Sequence, residues 1–351
     1  MPLAAPEFIR PAIRAMQGYQ PGEQPQGQSS VIKLNTNESP YPPSPKVFEA
    51  INYVLTGDRL RKYPDPVGWE FRRAASKVLN VPAECIVIGN GSDEILSMAV
   101  RTLVPEGGVI VAPTPSYILY QSLAQIQGAR FHELPFEKDW SLDARKLQGI
   151  GHLTFIPNPN SPTGTFIEPE NLVNWPTPLV LDEAYVEFGE KNGLSLVQEH
   201  PHILVSRTFS KAYALAGIRF GFAVAHPSVA EQFYKVKDSY NCDVLSLAAA
   251  TAAITDQAYL QEMKNKIIAT RAVLSSALVE LGFKVTPSHT NFVWCQHPDQ
   301  FEKKIYEELK ARNILVRYFH YANWGNGLRI SVGTDAQIAQ LLDELRMILK
   351  R

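Results

Sequence analysis

Short apolar runs alternate with amphipathic stretches from about Ile32 to Ala225, and this alternation predicts a repeat of strands and helices. Most of the apolar runs lack polar residues at alternate positions, which is typical of strands buried on both faces. A helical pattern such as the one from Ser92 to Val104 follows several of them. The predicted strands are 86–88, 109–111, 153–156, 179–181, 203–205 and 221–225. We therefore predict an α/β fold whose mostly parallel sheet is covered by helices on both sides.

The pattern changes on either side of this repeat. Residues 17–30 are rich in Pro, Gly and Gln and predict an extended arm. After about Val244 a long helical stretch reaches Leu281, and strand-like runs separated by amphipathic helices follow it. Those runs are 291–294, 314–317 and 328–332. We expect an N-terminal arm (1–34) that packs on the small domain, a large domain (35–245) and a small α+β domain (246–351).

Composition excludes several classes of protein. The formal net charge is −1, so no broad attraction to nucleic acid or to anionic lipid is expected. No window approaches the roughly 18 apolar residues of a membrane span, and the N-terminus lacks the apolar segment of a signal peptide. The three cysteines are far apart and the eight histidines have no ligand spacing, so we expect no disulfide framework, no metal site and a cytoplasmic location.

The polar residues at the predicted strand ends are the candidates for chemistry, because α/β sheets bind ligands beyond the carboxyl ends of their strands. Lys211 follows one such strand, with Ser210 before it and Arg219 eight positions after it. A lysine at a strand end is usually a solvated surface residue. Hydroxyl and guanidinium donors suit a phosphate, however, and a lysine beside a phosphate site is what pyridoxal 5′-phosphate (PLP) requires for a Schiff base.

Three further residues would serve the ring of that cofactor. Asp182 ends a buried strand and could pair with the pyridinium nitrogen, although a helix N-cap is the alternative. Tyr185 could donate a hydrogen bond to the phenolic oxygen O3′, or it could be an ordinary core tyrosine. Asn158 could have the same role from another loop, although its Pro-rich and Gly-rich surroundings also fit a plain turn.

A second anion-binding candidate is the segment Gly91, Ser92 and Asp93, between a predicted strand and a helix. Free N–H groups at a helix start can hold a phosphate, but Ser92 and Asp93 are equally good N-caps. Tyr117 could stack on the pyridine face of the cofactor, with a core aromatic as the alternative.

The motifs together resemble those of fold-type-I PLP-dependent aminotransferases. Asn-Pro-Asn-Ser-Pro-Thr-Gly from Asn158, Asp-Glu-Ala-Tyr from Asp182, and Ser-Lys with a later Arg occur in that family's order. The resemblance implies a large domain with a mostly parallel seven-stranded sheet, a smaller α+β domain and PLP as the cofactor. Lys211, Asp182 and Tyr185 would then be catalytic.

Within that group the chain is similar to the histidinol-phosphate aminotransferase family, through segments 34–40, 61–65, 207–212 and 328–334. The resemblance implies transamination of L-histidinol phosphate with 2-oxoglutarate, which gives imidazole-acetol phosphate and glutamate in histidine biosynthesis. It also implies a homodimer, in which Tyr63 reaches the cofactor phosphate of the neighbouring subunit.

The same resemblance supplies the substrate-binding residues. Arg329 would bind the substrate's anionic group, Arg317 would help to hold the phosphate, and Tyr19 would close over the substrate. Asn37 lies in the matching Asn-Glu-Ser-Pro segment and is placed with them. The chain departs from the family pattern at Tyr41, where Gly is common, and in the aromatic residues of the loop 319–326.

Other activities share these residues. An aromatic amino-acid aminotransferase would need Lys211, Asp182 and Arg329 but no phosphate clamp. An amino-acid-phosphate decarboxylase of the same fold would release CO2 instead of exchanging nitrogen. A regulatory protein that retains PLP is a non-enzymatic alternative, although no basic helix-turn-helix segment is visible.

Overall fold

The structure is a computed structural model that describes residues 7–18, 22–25, 31–147, 150–299 and 302–350. Its first half contains α1 (Pro11–Ala15), β1 (Ile32–Lys33), α2 (Pro45–Thr56), α3 (Trp69–Leu79), β2 (Ile86–Gly89), α4 (Ser92–Leu103), β3 (Val109–Thr114), α5 (Leu119–Gln127), β4 (Arg130–Pro135), β5 (Leu153–Pro157) and β6 (Leu179–Asp182). The second half contains β7 (Ile203–Thr208), β8 (Gly221–Val224), α6 (Pro227–Val236), α7 (Val244–Thr255), α8 (Gln257–Glu280), β9 (Lys284–Val285), β10 (Phe292–Gln296), α9 (Glu302–Ala311), β11 (Ile314–Leu315), β12 (Arg317–Tyr321), β13 (Gly325–Ser331) and α10 (Asp335–Leu349). None of the helices in these ranges has both the length and the apolar character of a membrane span.

A seven-stranded sheet forms the centre of the large domain, in the order β2-β8-β7-β6-β5-β3-β4. Strand β8 is antiparallel to both of its neighbours, and the other six strands run in the same direction. The predicted α/β class and mostly parallel sheet are thereby confirmed. Strand β4 was not among the predicted strands because it lies at the sheet edge and is partly exposed, so it lacks a continuous apolar run.

Two apolar cores cover the two faces of this sheet. Side chains alternate along each strand, so Ile86 and Ile88 face the core that α2, α3 and α7 complete, whereas Val87 faces the core beneath α4, α5 and α6. The same alternation occurs in β6, where Leu179 and Leu181 face the first core and Val180 the second. Burial on both faces explains why these strands are apolar at every position.

The small domain contains a four-stranded antiparallel sheet in the order β12-β13-β10-β9, packed against α8, α9 and α10. The helical stretch predicted from Val244 to Leu281 is two helices, which meet at Asp256. Asp256 accepts hydrogen bonds from the side chains of Ser44 and Lys46, at 2.5 and 3.1 Å. The first helix, α7, packs in the core that α2 and α3 also complete, and the domain boundary expected between residues 245 and 246 stays a prediction.

The N-terminal segment contacts both domains. Ile32 and Lys33 in β1 pair in parallel with β11 of the small domain, and Glu23 forms an ion pair with Lys310 at 2.7 Å. Arg10 beside α1 instead donates to the carbonyl oxygen of Ile126 in α5, in the large domain. The bounds expected for the arm (1–34) stay a prediction.

Candidate active site

A cavity opens where the carboxyl ends of β5, β6 and β7 and the start of α4 meet the hairpin of β12 and β13. It is lined by residues of both domains and by the segment that follows β1. The predicted site residues that line it are Asn37, Ser92, Asp93, Tyr117, Asp182, Tyr185, Ser210, Lys211, Arg219, Arg317 and Arg329. The lysine and the aspartate on which the cofactor prediction depends therefore share one cavity.

Four predicted residues stand apart from this lining. Gly91 is the N-cap of α4 and lies behind Arg219 (φ +82°; an added Cβ would lie 2.7 Å from Nη2 of Arg219). Tyr63 is 81% exposed and stacks on Tyr240, with ring centroids 4.4 Å apart. Tyr19 lies outside the described residues.

The fourth is Asn158, directly after β5. Its amide nitrogen donates to the carbonyl oxygen of Ile167 at 2.7 Å, and its amide oxygen accepts from the N–H of Ile167 at 2.9 Å. This pair of bonds closes the loop that begins after β5. A contact between Asn158 and the cofactor stays a prediction.

Asp182 at the end of β6 presents a buried carboxylate that is only half satisfied. Its Oδ2 accepts a hydrogen bond from the hydroxyl of Tyr120 at 2.8 Å. Its Oδ1 is buried and has no hydrogen-bond partner in the described part of the chain. Burial raises the pKa of Asp182 to about 6, although the hydrogen bond from Tyr120 opposes this change. A protonated ring nitrogen would supply both the missing donor and the counter-charge, so the residues present fit PLP.

Lys211 places its amine in the same cavity. The Nζ atom donates to the carbonyl oxygen of Thr36 at 3.1 Å and lies 5.6 Å from the ring centroid of Tyr185. Lys211 follows Ser210 in the turn after β7, so a strand of the central sheet fixes where its side chain begins. The amine therefore lies between the N-terminal segment and the ring-binding end of the cavity.

Donors for an anion gather beside the start of α4. The N-cap residue is Gly91, which has no side-chain oxygen and so does not cap the first N–H groups of this helix. Arg219 donates from Nη1 to the hydroxyl of Ser210 at 3.3 Å, and its Nη2 lies 3.6 Å from Asp93 Oδ2. Together the helix start, Ser92, Ser210 and Arg219 form a site of the kind that holds a phosphate.

Tyr185 is oriented by a chain of hydrogen bonds from the small domain. Ser331 Oγ accepts from the backbone N–H of Asn37 at 2.9 Å and donates to the amide oxygen of Asn37 at 2.8 Å. The amide nitrogen of Asn37 must then face Tyr185, and it donates to the phenol oxygen at 2.9 Å. Because the phenol oxygen accepts this bond, the hydroxyl proton of Tyr185 is left to donate into the cavity.

Two arginines face each other at the small-domain end of the cavity. Arg317 in β12 is the direct neighbour of Arg329 in β13. Arg329 donates to the hydroxyl of Ser161 and to the carbonyl oxygen of Asn35, each at 3.1 Å. Like charges at directly opposite positions repel, so such a pair is favourable when an anion lies between them.

Several residues that shape this site are absent from the sequence-based prediction. Tyr120 lies at the start of α5 and is fully buried, so in the sequence it resembles an ordinary core tyrosine. Thr36 contributes only its carbonyl oxygen, for which the side chain gives no signal. Ser331 and Tyr321 are recognisable only once the small-domain sheet is placed beside the cavity.

Within the described ranges, no three His, Cys, Asp or Glu side chains are grouped so that they could hold a metal ion. Cys85, Cys242 and Cys295 are free and buried.

Comparison with known proteins identifies the family. Residues 29–345 match the family model described as aminotransferase class I and II. The chain is 50% identical over 342 residues to histidinol-phosphate aminotransferase of Rhodopirellula baltica, covering 94% of this chain and 92% of the relative. It is 44% identical over 348 residues to histidinol-phosphate aminotransferase 1 of Trichormus variabilis, covering 98% of this chain and 99% of the relative. The crystal structure of histidinol-phosphate aminotransferase from Sinorhizobium meliloti in complex with pyridoxal-5′-phosphate superposes with a TM-score of 0.90, at 28% identity and 99% coverage of both chains. This chain belongs to the class I and II aminotransferases, in the histidinol-phosphate aminotransferase family.

Proposed function

We propose that this chain catalyses the PLP-dependent transamination of L-histidinol phosphate with 2-oxoglutarate, giving imidazole-acetol phosphate and glutamate for histidine biosynthesis. The main support for PLP as the cofactor is the buried Oδ1 of Asp182, which has no partner among the described residues. It lies in the cavity that also contains Lys211. The paired arginines and the names of the relatives at 50% and 44% identity support the substrate.

Bound PLP supplies an electron sink for the negative charge that develops at the α-carbon of the substrate. The protein's part is to hold and orient. Lys211 would bind the cofactor covalently, Asp182 would keep its ring nitrogen protonated, and Ser210 and Arg219 would hold its phosphate with the N-terminus of α4. Tyr117 lines the same cavity and is the candidate to stack on the ring.

Movement of the substrate's α-proton falls to Lys211. Its amine lies in the cavity beside the carbonyl oxygen of Thr36, and as a general base it would remove the α-proton and return it. Arg329 holds the substrate anion through its guanidinium fork, with Arg317 opposite, and Tyr19 is the candidate to close over the substrate. Carboxylate and phosphate both accept such a fork, so Arg329 can serve histidinol phosphate and 2-oxoglutarate in turn.

The cofactor assignment is tested by the visible spectrum of the purified protein and of Lys211→Ala. We expect an absorbance band of lysine-bound PLP that shifts when a substrate amine is added, and its loss in Lys211→Ala. The exposed Lys266 offers a matched control, since Lys266→Ala should keep the band. A wild-type protein with no such band would contradict the assignment.

Steady-state assays test the substrate. We expect the highest kcat/KM with histidinol phosphate, compared with phenylalanine and with threonine phosphate. A preference for phenylalanine would identify an aromatic amino-acid aminotransferase instead. Release of CO2 from threonine phosphate would identify a decarboxylase.

A homodimer is part of the proposal. Large apolar side chains are exposed on α2 and on the connection to α3, including Tyr53 at 66%, Leu60 at 59% and Tyr63 at 81%. Such a surface fits burial against a second copy, with Tyr63 of the partner subunit at the cofactor phosphate. Buried free cysteines in turn support a reducing, cytoplasmic location.

Mixed dimers test this arrangement. A dimer of a Lys211→Ala chain with a Tyr63→Phe chain would regain one complete site, because the intact lysine and the intact tyrosine would come from different chains. We expect tight PLP binding and activity to return in this mixed dimer. Activity no higher than in the Tyr63→Phe homodimer would contradict a role for Tyr63 across the interface.

A further inference from the structure

The hairpin of β12 and β13 presents one face to the cavity. Side chains two residues apart in a strand point to the same side, so Arg317, Phe319 and Tyr321 share a face. Arg329, directly opposite Arg317 on β13, lies on that face too. All four line the cavity.

The rings on this face are packed together. Phe319 and Tyr321 stack with an interplanar angle of 11° and ring centroids 5.7 Å apart. The guanidinium carbons of Arg317 and Arg329 lie 5.7 and 5.3 Å from the Phe319 centroid. Behind them the indole of Trp294 lies 5.9 Å from Phe319 and 6.3 Å from Tyr321. Packing against Phe319 and Trp294 therefore fixes the position of the Tyr321 hydroxyl.

That hydroxyl is buried and has no hydrogen-bond partner in the ranges that the structure describes. Burial raises the pKa of Tyr321, whereas the charges of Arg329 and Arg317 lower it, so both arginines are close to its phenol. A buried hydroxyl without a partner destabilises a protein, because its lost hydrogen bonds to water are not replaced. An oxygen atom of a bound ligand is the partner that would remove this penalty.

We propose that Tyr321 is a specificity-determining residue, whose hydroxyl donates to a terminal phosphate oxygen of the substrate between Arg317 and Arg329. This inference rests on the proposed function, which it deepens. Histidinol phosphate carries a phosphomonoester where the acceptor carries a carboxylate, so one site must accept both groups. A guanidinium fork pairs with two oxygens, which both groups have. A third terminal oxygen belongs only to the phosphate, and Tyr321 is the donor for it.

The test compares the two half-reactions of one enzyme in single turnovers. Tyr321→Phe removes one oxygen atom and keeps the ring stack. Loss of a hydrogen bond to a charged group predicts a rise of about 10- to 100-fold in the dissociation constant for histidinol phosphate. We expect a change of less than about twofold for glutamate, whose carboxylates lack the third oxygen.

Tyr318→Phe is the matched control. Tyr318 lies in the same strand on the opposite face, where its hydroxyl donates to the side-chain oxygen of Asn326 at 2.7 Å. Loss of the Tyr318 hydroxyl should leave both half-reactions unchanged. Because Tyr321→Phe removes an unsatisfied buried hydroxyl, its melting temperature should not fall below that of the wild type.

The possible outcomes separate this inference from the proposed function. Unchanged binding of histidinol phosphate in Tyr321→Phe would overturn the assignment, and so would an equal loss for both substrates. If the wild-type enzyme does not convert histidinol phosphate, the proposed function fails. The role of Tyr321 is then decided by calorimetric titration of the holoenzyme with methyl phosphate. Weaker binding by Tyr321→Phe than by Tyr318→Phe would support it, and equal binding, or no binding by the wild type, would overturn it.

Discussion

Glu187 carries a buried carboxylate next to the site, and the consequence can be measured as stability against pH. It follows Tyr185 in a short helical turn, and its side chain is 9% exposed. The carboxylate lies 4.0 Å from Arg207, which makes a closer ion pair with Glu183 at 2.9 Å. Burial raises the pKa of Glu187 from 4.5 to about 7, in spite of the opposing charge of Arg207.

The sign and size of the effect follow from these two pKa values. A carboxyl whose pKa is raised in the folded state lowers stability as pH rises through the window from 4.5 to about 7. At about 1.4 kcal/mol per pH unit between the two values, the full penalty above this window is about 3 kcal/mol. Near pH 5.5 the raised pKa of Glu187 lowers the free energy of unfolding by only about 1 kcal/mol.

Glu187→Gln removes the charge, so its stability gain over the wild type should grow by about 2 kcal/mol between about pH 5.5 and about pH 8.5. The measurement is urea unfolding of both holoenzymes at equal protein and PLP concentrations. Glu187 does not line the cavity, so its substitution should leave cofactor binding unchanged. The exposed Glu190 gives a matched control, and Glu190→Gln should show a difference that is flat with pH. A gain for Glu187→Gln that does not change with pH, or a loss at the higher pH, would refute the reasoning.

Three shorter predictions concern the cavity. Asp182→Asn should keep the visible band of bound PLP but lower kcat by roughly 100-fold in steady-state assays, because an amide cannot neutralise the ring nitrogen. Ser331→Ala should lower the free energy of unfolding in urea by about 1–3 kcal/mol, because it leaves a buried amide oxygen without its donor. Gly91→Ala should raise the Kd for PLP about tenfold in fluorescence titrations by displacing Arg219 (~1.4 kcal/mol). Gly107→Ala, with a similar φ of +70° and open space around it, should leave this Kd unchanged.

The sequence could predict the central sheet because strands buried on both faces leave an unmistakable apolar pattern. It could also predict that Lys211 and Asp182 meet at one edge of the sheet, since both lie at the carboxyl ends of such strands. Edge strand β4 escaped the prediction because its one-sided pairing leaves it partly exposed. The sequence also did not show that the stretch from Val244 to Leu281 divides at Asp256. The hydrogen bonds that hold this aspartate come from Ser44 and Lys46, which are far away in sequence.

The contacts that orient the side chains of the candidate site were beyond prediction for a related reason. Lys211 bonds to a backbone oxygen 175 positions away, and Asn37 bonds to a serine 294 positions away. Local periodicity has no information about such distant partners. The resemblance to a family supplied the arginines of the small domain, but not Tyr120, Ser331 or Tyr321.

The residues around Asn37 also set the order in which the molecule can be completed during synthesis. Strand β1 has no partner until β11 has been made, and Asn37 has no serine to hold it until β13 has left the ribosome. The large domain can begin to fold earlier, since the central sheet is finished by Val224. In a nascent chain, Lys211 and Asp182 are therefore synthesised long before the residues that orient the phenol of Tyr185. A chain that ends before β13 would lack the serine that holds Asn37, and with it the hydrogen bonds that orient Tyr185.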